Sequence, residues 1–590
     1  MGFFLDSNIN KLNKKLKKSF GSKVQAELKN GCLYLNGELE NWNDIVHAGL
    51  MSVNKKKYHV VNDIKWTGGI IPPMRMPAII DTAFEGKRPD VLVIGGGVIG
   101  CAITRELTRY KLDIMLVEKE HDVALHTSSR NDGMVHPGVD LHKGQLKKKY
   151  NDVGNLMYSK VCEELDVPFQ NTGQYLCFTS AWMKPAAFLS LLYWKLKGIP
   201  ARYVSRSKLY KEEPNLNDQI KCALFFPTSG MVCPYGLTIA YAENAIDNGA
   251  QICLDTAVTE MEVEKSDKGA KVTSVLTNRG RIFPKLVINA AGVFSDEIAR
   301  LAHDRFFSIH PRRGTNMIMD KKSAVNVKTI ASVLHVAERS SSKKEHSKGG
   351  GIMHTVDGNL LVGPNAIETH ERENYSTDRE SLEAVMSKQR KTAPALYDSD
   401  IITYFTGIRA ATYEEDFIVY FGKFTKNIIH AAGIQSPGLT AAPAIAVDIS
   451  KMAAEFLEKE KGEGETAYLK GLCVNENFNP VRRGIIRAAA LPDNERNVLI
   501  KQEPDYGVII CRCEEISRAE ALAALRRSLP CDTVDGVKRR VRSGSGRCQG
   551  GFCSPHVAKI IAEEKNIPLI HVKKMAHNSE LLVGDNKDNL

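Results

Sequence analysis

Apolar and polar positions along this chain follow two periodicities, and the changes from one to the other mark its elements. From Asn8 to Phe20 the apolar residues Ile9, Leu12, Leu16 and Phe20 recur at helical spacing, while Lys11, Lys14, Lys15, Lys17 and Lys18 take the remaining surface. This predicts a basic amphipathic helix. Two short alternating segments follow, Val24 to Leu28 and Cys32 to Leu35, joined by the turn signal Asn30-Gly31; a helical stretch after Asn43 and a strand from Tyr58 to Ile64 complete an α-β-β-α-β order. The connector "TGGIIPPMRMP" is too rich in glycine and proline to continue either period. Beyond it the chain alternates strand-like and helical runs up to about residue 458, the pattern of an α/β domain. Residues 459 to 471 ("EKEKGEGETAYLK") read as an exposed charged link, 506 to 570 as a compact cysteine-bearing unit, and the last twenty residues as a loose polar tail. The expected division is therefore 1–66, a 67–88 linker, 89–458, a 459–505 linker, 506–570 and a 571–590 tail.

A chain of 590 residues exceeds what one hydrophobic core organises, in keeping with several domains. Its longest apolar run, Val91 to Ile103, is too short and glycine-rich to span a bilayer, and no charged n-region with an h-region opens the chain, so a cytoplasmic protein is expected. Nine of the thirteen cysteines are scattered, unlike a secreted disulfide framework; the other four cluster, which points to a metal. The net charge of +11 raises the question of nucleic acid. Residues 1 to 60 hold ten Lys against five Asp or Glu, and Lys538, Arg539, Arg540, Arg542 and Arg547 form a second basic patch. No aromatic platform or nucleic-acid-binding signature accompanies them, so an acidic protein partner or an anionic substrate is expected instead.

In "PDVLVIGGGVIGCAITRELTRYKLDIMLVEKE" an apolar strand runs into Gly95-x-Gly97-x-x-Gly100 and a helical segment, and a second strand ends in Glu118, 23 positions after the first glycine. That is the context a dinucleotide fingerprint requires. Gly95 permits the tight turn, Gly97 lets pyrophosphate approach the backbone, and Gly100 lets helix and strand pack closely. Glu118 can accept from the ribose hydroxyls. FAD and NAD share this ADP half, so the motif alone leaves both open. "LVINAAGVFSDEIA" and "NIIHAAGIQSPGLTAAPAIA" add two strand-to-glycine-to-helix junctions; the second could set a helix N-terminus beside the pyrimidine edge of a flavin. Together with "TSSRNDGMVHPG", Gly363-Pro364 and "TGIRAAT", these segments resemble the D-amino-acid oxidase and glycerol-3-phosphate dehydrogenase superfamily over nearly all of 89–458. The resemblance implies an FAD-binding Rossmann-type domain interleaved with an α+β substrate domain. It also implies flavin contacts at Thr127, Ser128, Asn131, Gly133, Val258, Gly292, Gly433, Gln435, Ser436 and Thr440. No second fingerprint argues for NAD(P)H.

Cys511-x-Cys513, thirty-four residues and Cys548-x4-Cys553 place four thiolates within 43 positions, a set that fits zinc or an iron-sulfur cluster. Zinc sites usually use C-x2-C pairs. "CRCEEIS" with "DTVDGVKRRVRSGSGRCQGGFCSP" resembles the bacterioferritin-associated-ferredoxin type of domain, which implies a 2Fe-2S cluster on these cysteines in a small helical unit. A flavin domain followed by such a unit resembles the large subunit of the anaerobic glycerol-3-phosphate dehydrogenases. This implies a small anionic substrate and an electron-accepting partner subunit. The N-terminal "NGCLYLNGELEN" resembles a BON domain, which departs from that subunit; its basic helix is either a solvated face or a peripheral contact with the inner face of a membrane.

Oxidising a secondary alcohol needs a base, a hydride acceptor and a cationic clamp. By resemblance Arg409 is the clamp, with Arg313 as a second cationic candidate, and His354 and His136 are candidate bases. A dehydrogenase of glycerol 3-phosphate leads. A 2-hydroxy acid or secondary amino acid would use the same clamp, an oxidase would make the cluster superfluous, and a non-catalytic electron carrier would not need Arg409.

Overall fold

The computed structural model of the chain describes residues 2–54, 58–266, 269–334, 350–461 and 474–584. The link residues 462–473 and tail residues 585–590 lie outside the described residues.

The N-terminal segment folds in the expected order. Helix Gly2–Phe20 precedes strands Val24–Lys29 and Cys32–Leu39, helix Trp42–Met51 and strand His59–Trp66. The first two strands pair antiparallel and the last joins Cys32–Leu39 in parallel. Leu12 and Leu16 are buried with Val24, Leu33 and Leu35. The apolar stripe of the basic helix is thus consumed inside its own module, leaving lysines outside.

At the centre lies a six-stranded sheet in the order Gln251–Cys253, Ile114–Val117, Val91–Ile94, Leu286–Asn289, Ile428–Ala432 and Ile418–Phe421. All neighbours are parallel except the last pair. A parallel sheet is covered on both faces, which is why its strands are apolar throughout. Helices including Val98–Leu107 and Gly438–Lys461 bury one face; the antiparallel strands Val258–Ser266, Gly269–Thr277 and Gly280–Ile282 bury the other. A separate nine-stranded sheet, including Ile309–Met319, Gly351–His354 and Ile401–Thr412, interleaves with it in sequence. The mixed α/β architecture is the expected one.

Two segments read as linkers are pinned to the domain between them. Phe84 N–H donates to Arg279 O at 2.9 Å and Gly86 N–H to Arg281 O at 2.8 Å. After the undescribed stretch, Asn475 N–H donates to Arg109 O at 2.8 Å, Arg482 reaches the carbonyl of Leu165 at 2.9 Å, and helix Asp493–Gln502 follows. Composition marked these stretches as poor in regular structure, but backbone donors can be satisfied by a neighbouring edge as well as by water. The C-terminal unit has its own core, with Leu522, Val537 and Ile561, built from strands Ile509–Cys511 and Ile516–Ser517 and helices Arg518–Leu525, Val534–Val541 and Ser554–Lys565. Among the described residues no helix is long and apolar enough to cross a membrane.

Candidate functional site

The fingerprint forms the turn its glycines require. Strand Val91–Ile94 ends in Gly95 at φ +111°, and Gly97 caps helix Val98–Leu107. A side chain at Gly100 would meet Gly95 O at 1.9 Å, so only glycine allows helix and strand to approach this closely. Glu118 ends strand Ile114–Val117 and accepts from Gly96 N–H at 2.6 Å and Glu120 N–H at 2.9 Å. Burial raises its pKa, with His126 and the two backbone donors opposing. Ser128 Oγ accepts from Val98 N–H at 2.9 Å, which places the loop Thr127–Gly133 over the helix N-terminus. Thr127 Oγ1 donates to Ile408 O at 2.6 Å, and Asn131 holds the turn by accepting from Gly133 N–H at 2.9 Å. Val258 opens the strand next to Thr256, whose N–H donates to Glu118 O. Gly292 starts the turn after strand Leu286–Asn289 at φ +56°.

A second group converges at the N-terminus of helix Gly438–Lys461. Gly433 turns at φ +63° after strand Ile428–Ala432. His136 N–H donates to Thr440 Oγ1 at 2.9 Å, and His136 Nε2 lies 3.3 Å from Ser436 Oγ. Gln435 donates to Glu415 at 2.5 Å; burial raises the Glu415 pKa, but Arg312 and Lys147 outweigh it and hold the carboxyl down at about 2.

Arg409, on strand Ile401–Thr412, donates to the carbonyls of Arg313 at 3.2 Å and Asn365 at 3.1 Å. Burial, and then the neighbouring Arg312, push its pKa down to about 10. Among the described residues no carboxylate lies within ion-pair distance of it. Its strand touches the loop Thr127–Gly133, since a side chain on Gly407 would meet Arg130 O at 2.1 Å. Arg313 is already engaged, with Ser376 O and with Asp378 at 3.2 Å. His354 ends strand Gly351–His354 with Nδ1 3.3 Å from Thr355 O, and no contact joins it to the His136 group among the described residues.

The four cysteines meet as two pairs. Cys513 and Cys548 have sulfurs 3.6 Å apart, and Cys511 is paired with Cys553, whose hydrogen bond draws the Cys511 thiol below its ordinary pKa against the burial that raises it. Tetrahedral zinc, with Zn–S about 2.3 Å, would draw all four sulfurs to within about 3.8 Å of one another. Among the described residues, the metal-type donor set lying wholly within 4.8 Å is instead Glu120, His126 and Glu373, and the four thiols are not such a set. Two pairs suit two iron atoms. Gly546 is needed here because a side chain would strike Cys513 Cβ at 2.4 Å. The Glu120, His126 and Glu373 set already holds a cation: Lys119 Nζ stands 2.7 Å from Glu120 and 2.6 Å from Glu373.

The basic patch of the cluster unit does not face outward as its sequence suggested. Arg539 and Arg540 donate to Asp122 at 2.8 and 2.9 Å, and Arg542 to Asp357 at 2.7 Å and Glu514 at 3.0 Å. Arg540 is 2% exposed on its side chain. Burial raises the Asp122 pKa, but the charges of Arg540 and Arg539 outweigh it and hold the group well below the usual carboxylate range. Only Arg547 of the patch's arginines is largely exposed. Where the cluster unit meets the loop Thr127–Gly133, a cavity of ≈ 290 Å³ is lined by Arg130, Asn131 and Asp132 on one side and Lys538, Arg539 and Arg542 on the other. Asp122 and Asp357 had no signal in the sequence, because their partners lie hundreds of positions away.

Residues 90–452 match the family of FAD dependent oxidoreductases. The chain belongs to that family. Residues 509–563 match the BFD-like [2Fe-2S] binding domain, so FAD and a 2Fe-2S cluster are its cofactors. The chain is 39% identical over 505 residues to a glycerol 3-phosphate dehydrogenase of Caloramator mitchellensis, covering 84% of this chain and 99% of that one. It is 30% identical over 367 residues to a glycerol 3-phosphate oxidase of Mycoplasma pneumoniae, covering 60% and 92%. Dithionite-reduced L-alpha-glycerophosphate oxidase of the same organism, solved with FAD bound, superposes with a TM-score of 0.58 at 27% identity, covering 67% of this chain and 98% of that chain. The flavin and cluster expectations are met, and this oxidoreductase joins both on one chain.

Proposed function

We propose that this oxidoreductase dehydrogenates glycerol 3-phosphate and hands the electrons through its cluster to a separate acceptor protein. The observation that carries the substrate class is Arg409: a half-buried guanidinium held by two carbonyls and no described carboxylate is poised for an incoming anion. The activities named for the relatives narrow that anion to the phosphate ester. Bound FAD supplies the hydride acceptor at N5, and the cluster carries electrons onward one at a time. His136 Nε2 takes the proton of the substrate's secondary hydroxyl; its backbone is fixed by Thr440 and by Asn155, which donates to His136 O at 3.0 Å, and Ser436 Oγ orients the ring. Gly95, Gly97, Gly100 and Glu118 would hold the ADP half, Thr127, Ser128, Asn131 and Gly133 the middle, and Gly433 to Thr440 the flavin ring. Cys511 and Cys553 would bind one iron, Cys513 and Cys548 the other. With this reading go the division at 66, 88, 458, 505 and 570, a BON-like first module, a cytoplasmic location and peripheral attachment to the inner face of a membrane.

Anaerobic mixing with glycerol 3-phosphate should bleach the flavin and then give a reduced-cluster signal, whereas L-2-hydroxyglutarate or L-proline should not. Bleaching by either of those instead would overturn the substrate. Arg409→Met should lower kcat/KM by about tenfold to a few hundredfold with FAD content unchanged, as expected for a charge-assisted bond of about 1.5–3 kcal/mol. Cys548→Ser should lose iron yet keep substrate-driven flavin reduction.

A further inference from the structure

Helix Met183–Leu196 is apolar on two opposite faces, and the protein covers only one. Met183, Ala187 and Leu191 face inward and pack with Cys222, Leu224 and Phe226, and Trp194 rests on Phe226. At 3.6 residues per turn, Phe188, Leu189, Leu192, Tyr193 and Leu196 fall on the opposite side. They are exposed: Leu196 is 81% accessible and Leu189 67%, with Trp182 at 68% just before the helix. A helix that is hydrophobic all round belongs in an apolar surround, so this face is built to be covered.

Charge says by what. From Val167 to Lys211 the chain holds no Asp or Glu but carries Lys184, Lys195, Lys197, Arg202, Arg206, Lys208 and Lys211. Lys184 and Lys195 flank one side of the exposed stripe and Lys197 the other. A second copy docked here about a two-fold axis would set like charge against like. A protein accepting electrons from the cluster has no reason to sit here, because this helix packs on strands Arg202–Ser205 and Cys222–Phe226 of the nine-stranded sheet rather than on the cluster unit. An aliphatic and aromatic stripe bordered by lysines matches the boundary between acyl chains and anionic headgroups.

We infer that the exposed face of helix Met183–Leu196 is the membrane-contacting surface of this protein, lying in the plane of an anionic lipid layer. This inference rests on the peripheral attachment proposed above and moves it away from the N-terminal helix, where Leu12 and Leu16 are buried and Ile9 and Phe20 packed in its own module.

The test is cosedimentation of the FAD-loaded full chain with vesicles of equal parts phosphatidylcholine and phosphatidylglycerol. The wild type should bind, and more weakly in high salt or to pure phosphatidylcholine. A Leu189→Glu, Leu196→Glu double variant should partition at least about tenfold more weakly, since a carboxylate on each of two apolar positions opposes both insertion and the anionic surface. Its FAD content and substrate-driven flavin reduction should be unchanged. Brominated lipid should quench wild-type fluorescence, and Trp182→Phe should abolish that quenching. If the double variant still binds while a Lys14→Gln, Lys15→Gln, Lys18→Gln variant is released, attachment stands and this surface is wrong. If the wild type does not bind, both fall. If it dimerises in sedimentation velocity and the double variant is a monomer, the face covers a second copy and the inference is overturned.

Discussion

The N-terminal module and the cluster unit both attach to the flavoprotein domain, but with different balances of chemistry: the module mainly by apolar contact beside the Arg305–Asp63 ion pair at 2.6 Å, the cluster unit mainly by charge. Tyr413 of the domain is buried in the module's core beside Leu33, Ile45 and Val46, while Cys32 and Val61 of the module pack with Phe306 and Phe307. Hydrogen bonds trim that contact: Asn62 donates to Tyr413 Oη at 2.8 Å, and Val60 N–H to Glu414 at 2.7 Å. The cluster unit keeps a core of its own, buries Leu529 in the flavoprotein core and is otherwise held by charge. Asp122 grips Arg539 and Arg540, Asp357 grips Arg542, and Glu243 grips Arg482 and Arg527 at 2.6 Å each. Apolar contact adds stability without fixing an orientation. Buried ion pairs add little net stability, because desolvation offsets attraction, yet they tolerate no sliding. Here the first packs the module against the domain, and the second holds the cluster unit beside the loop Thr127–Gly133.

The strongest way to break this comparison is Asp122→Ala, which strands two buried guanidiniums and should cost about 3–5 kcal/mol at the interface. Freeze-quench spectroscopy should find cluster reduction by substrate slowed while flavin reduction keeps its rate, and Asp122→Glu should recover part of it. An unchanged cluster rate would mean that these pairs do not position the cluster. Next comes Gly49→Ala, whose new methyl would lie 2.2 Å from the Tyr413 ring; overpacking of this kind costs about 1–3 kcal/mol. The urea midpoint should fall with cluster reduction unaffected, and the reverse outcome would mean that the module also positions the cluster. Tyr413→Phe removes one hydrogen bond and should lower stability by about 0.5–1.5 kcal/mol in the same assay. The smallest effect is with pH. A depressed carboxylate such as Asp122 contributes stability fully above its unfolded pKa of about 3.9, and loses it only as pH falls below that toward the folded value. The ratio of cluster-reduction rates between wild type and Asp122→Asn should therefore stay flat from pH 8 to about 5. A ratio that changes across this range would assign the latch to another group.

Local chemistry made much of this readable. Gly95, Gly97, Gly100 and Glu118 lie within 24 positions of one another, and each has a reason set by the strand-turn-helix it belongs to. The cysteine spacing left zinc and an iron-sulfur cluster open, and the resemblance of the residues around the two cysteine pairs pointed to the two-iron cluster. The basic run 538–547 misled, because a row of arginines reads as solvent-facing until the acids that meet it are known. The segments read as linkers are pinned along part of their length, since glycine and proline report the lack of a helix or strand period and not whether a neighbouring edge accepts the backbone.

The sequence by itself determined the dinucleotide turn, the clustered thiols and the order of the modules, and its resemblances named both cofactors, because these rest on periodicity and on local motifs. Tertiary structure alone decided which way the arginines face, that Arg313 is engaged while Arg409 has no described counter-ion, and that helix Met183–Leu196 leaves one apolar face bare. Burial and ion pairing depend on groups from tens to hundreds of residues apart, and no local pattern carries that distance.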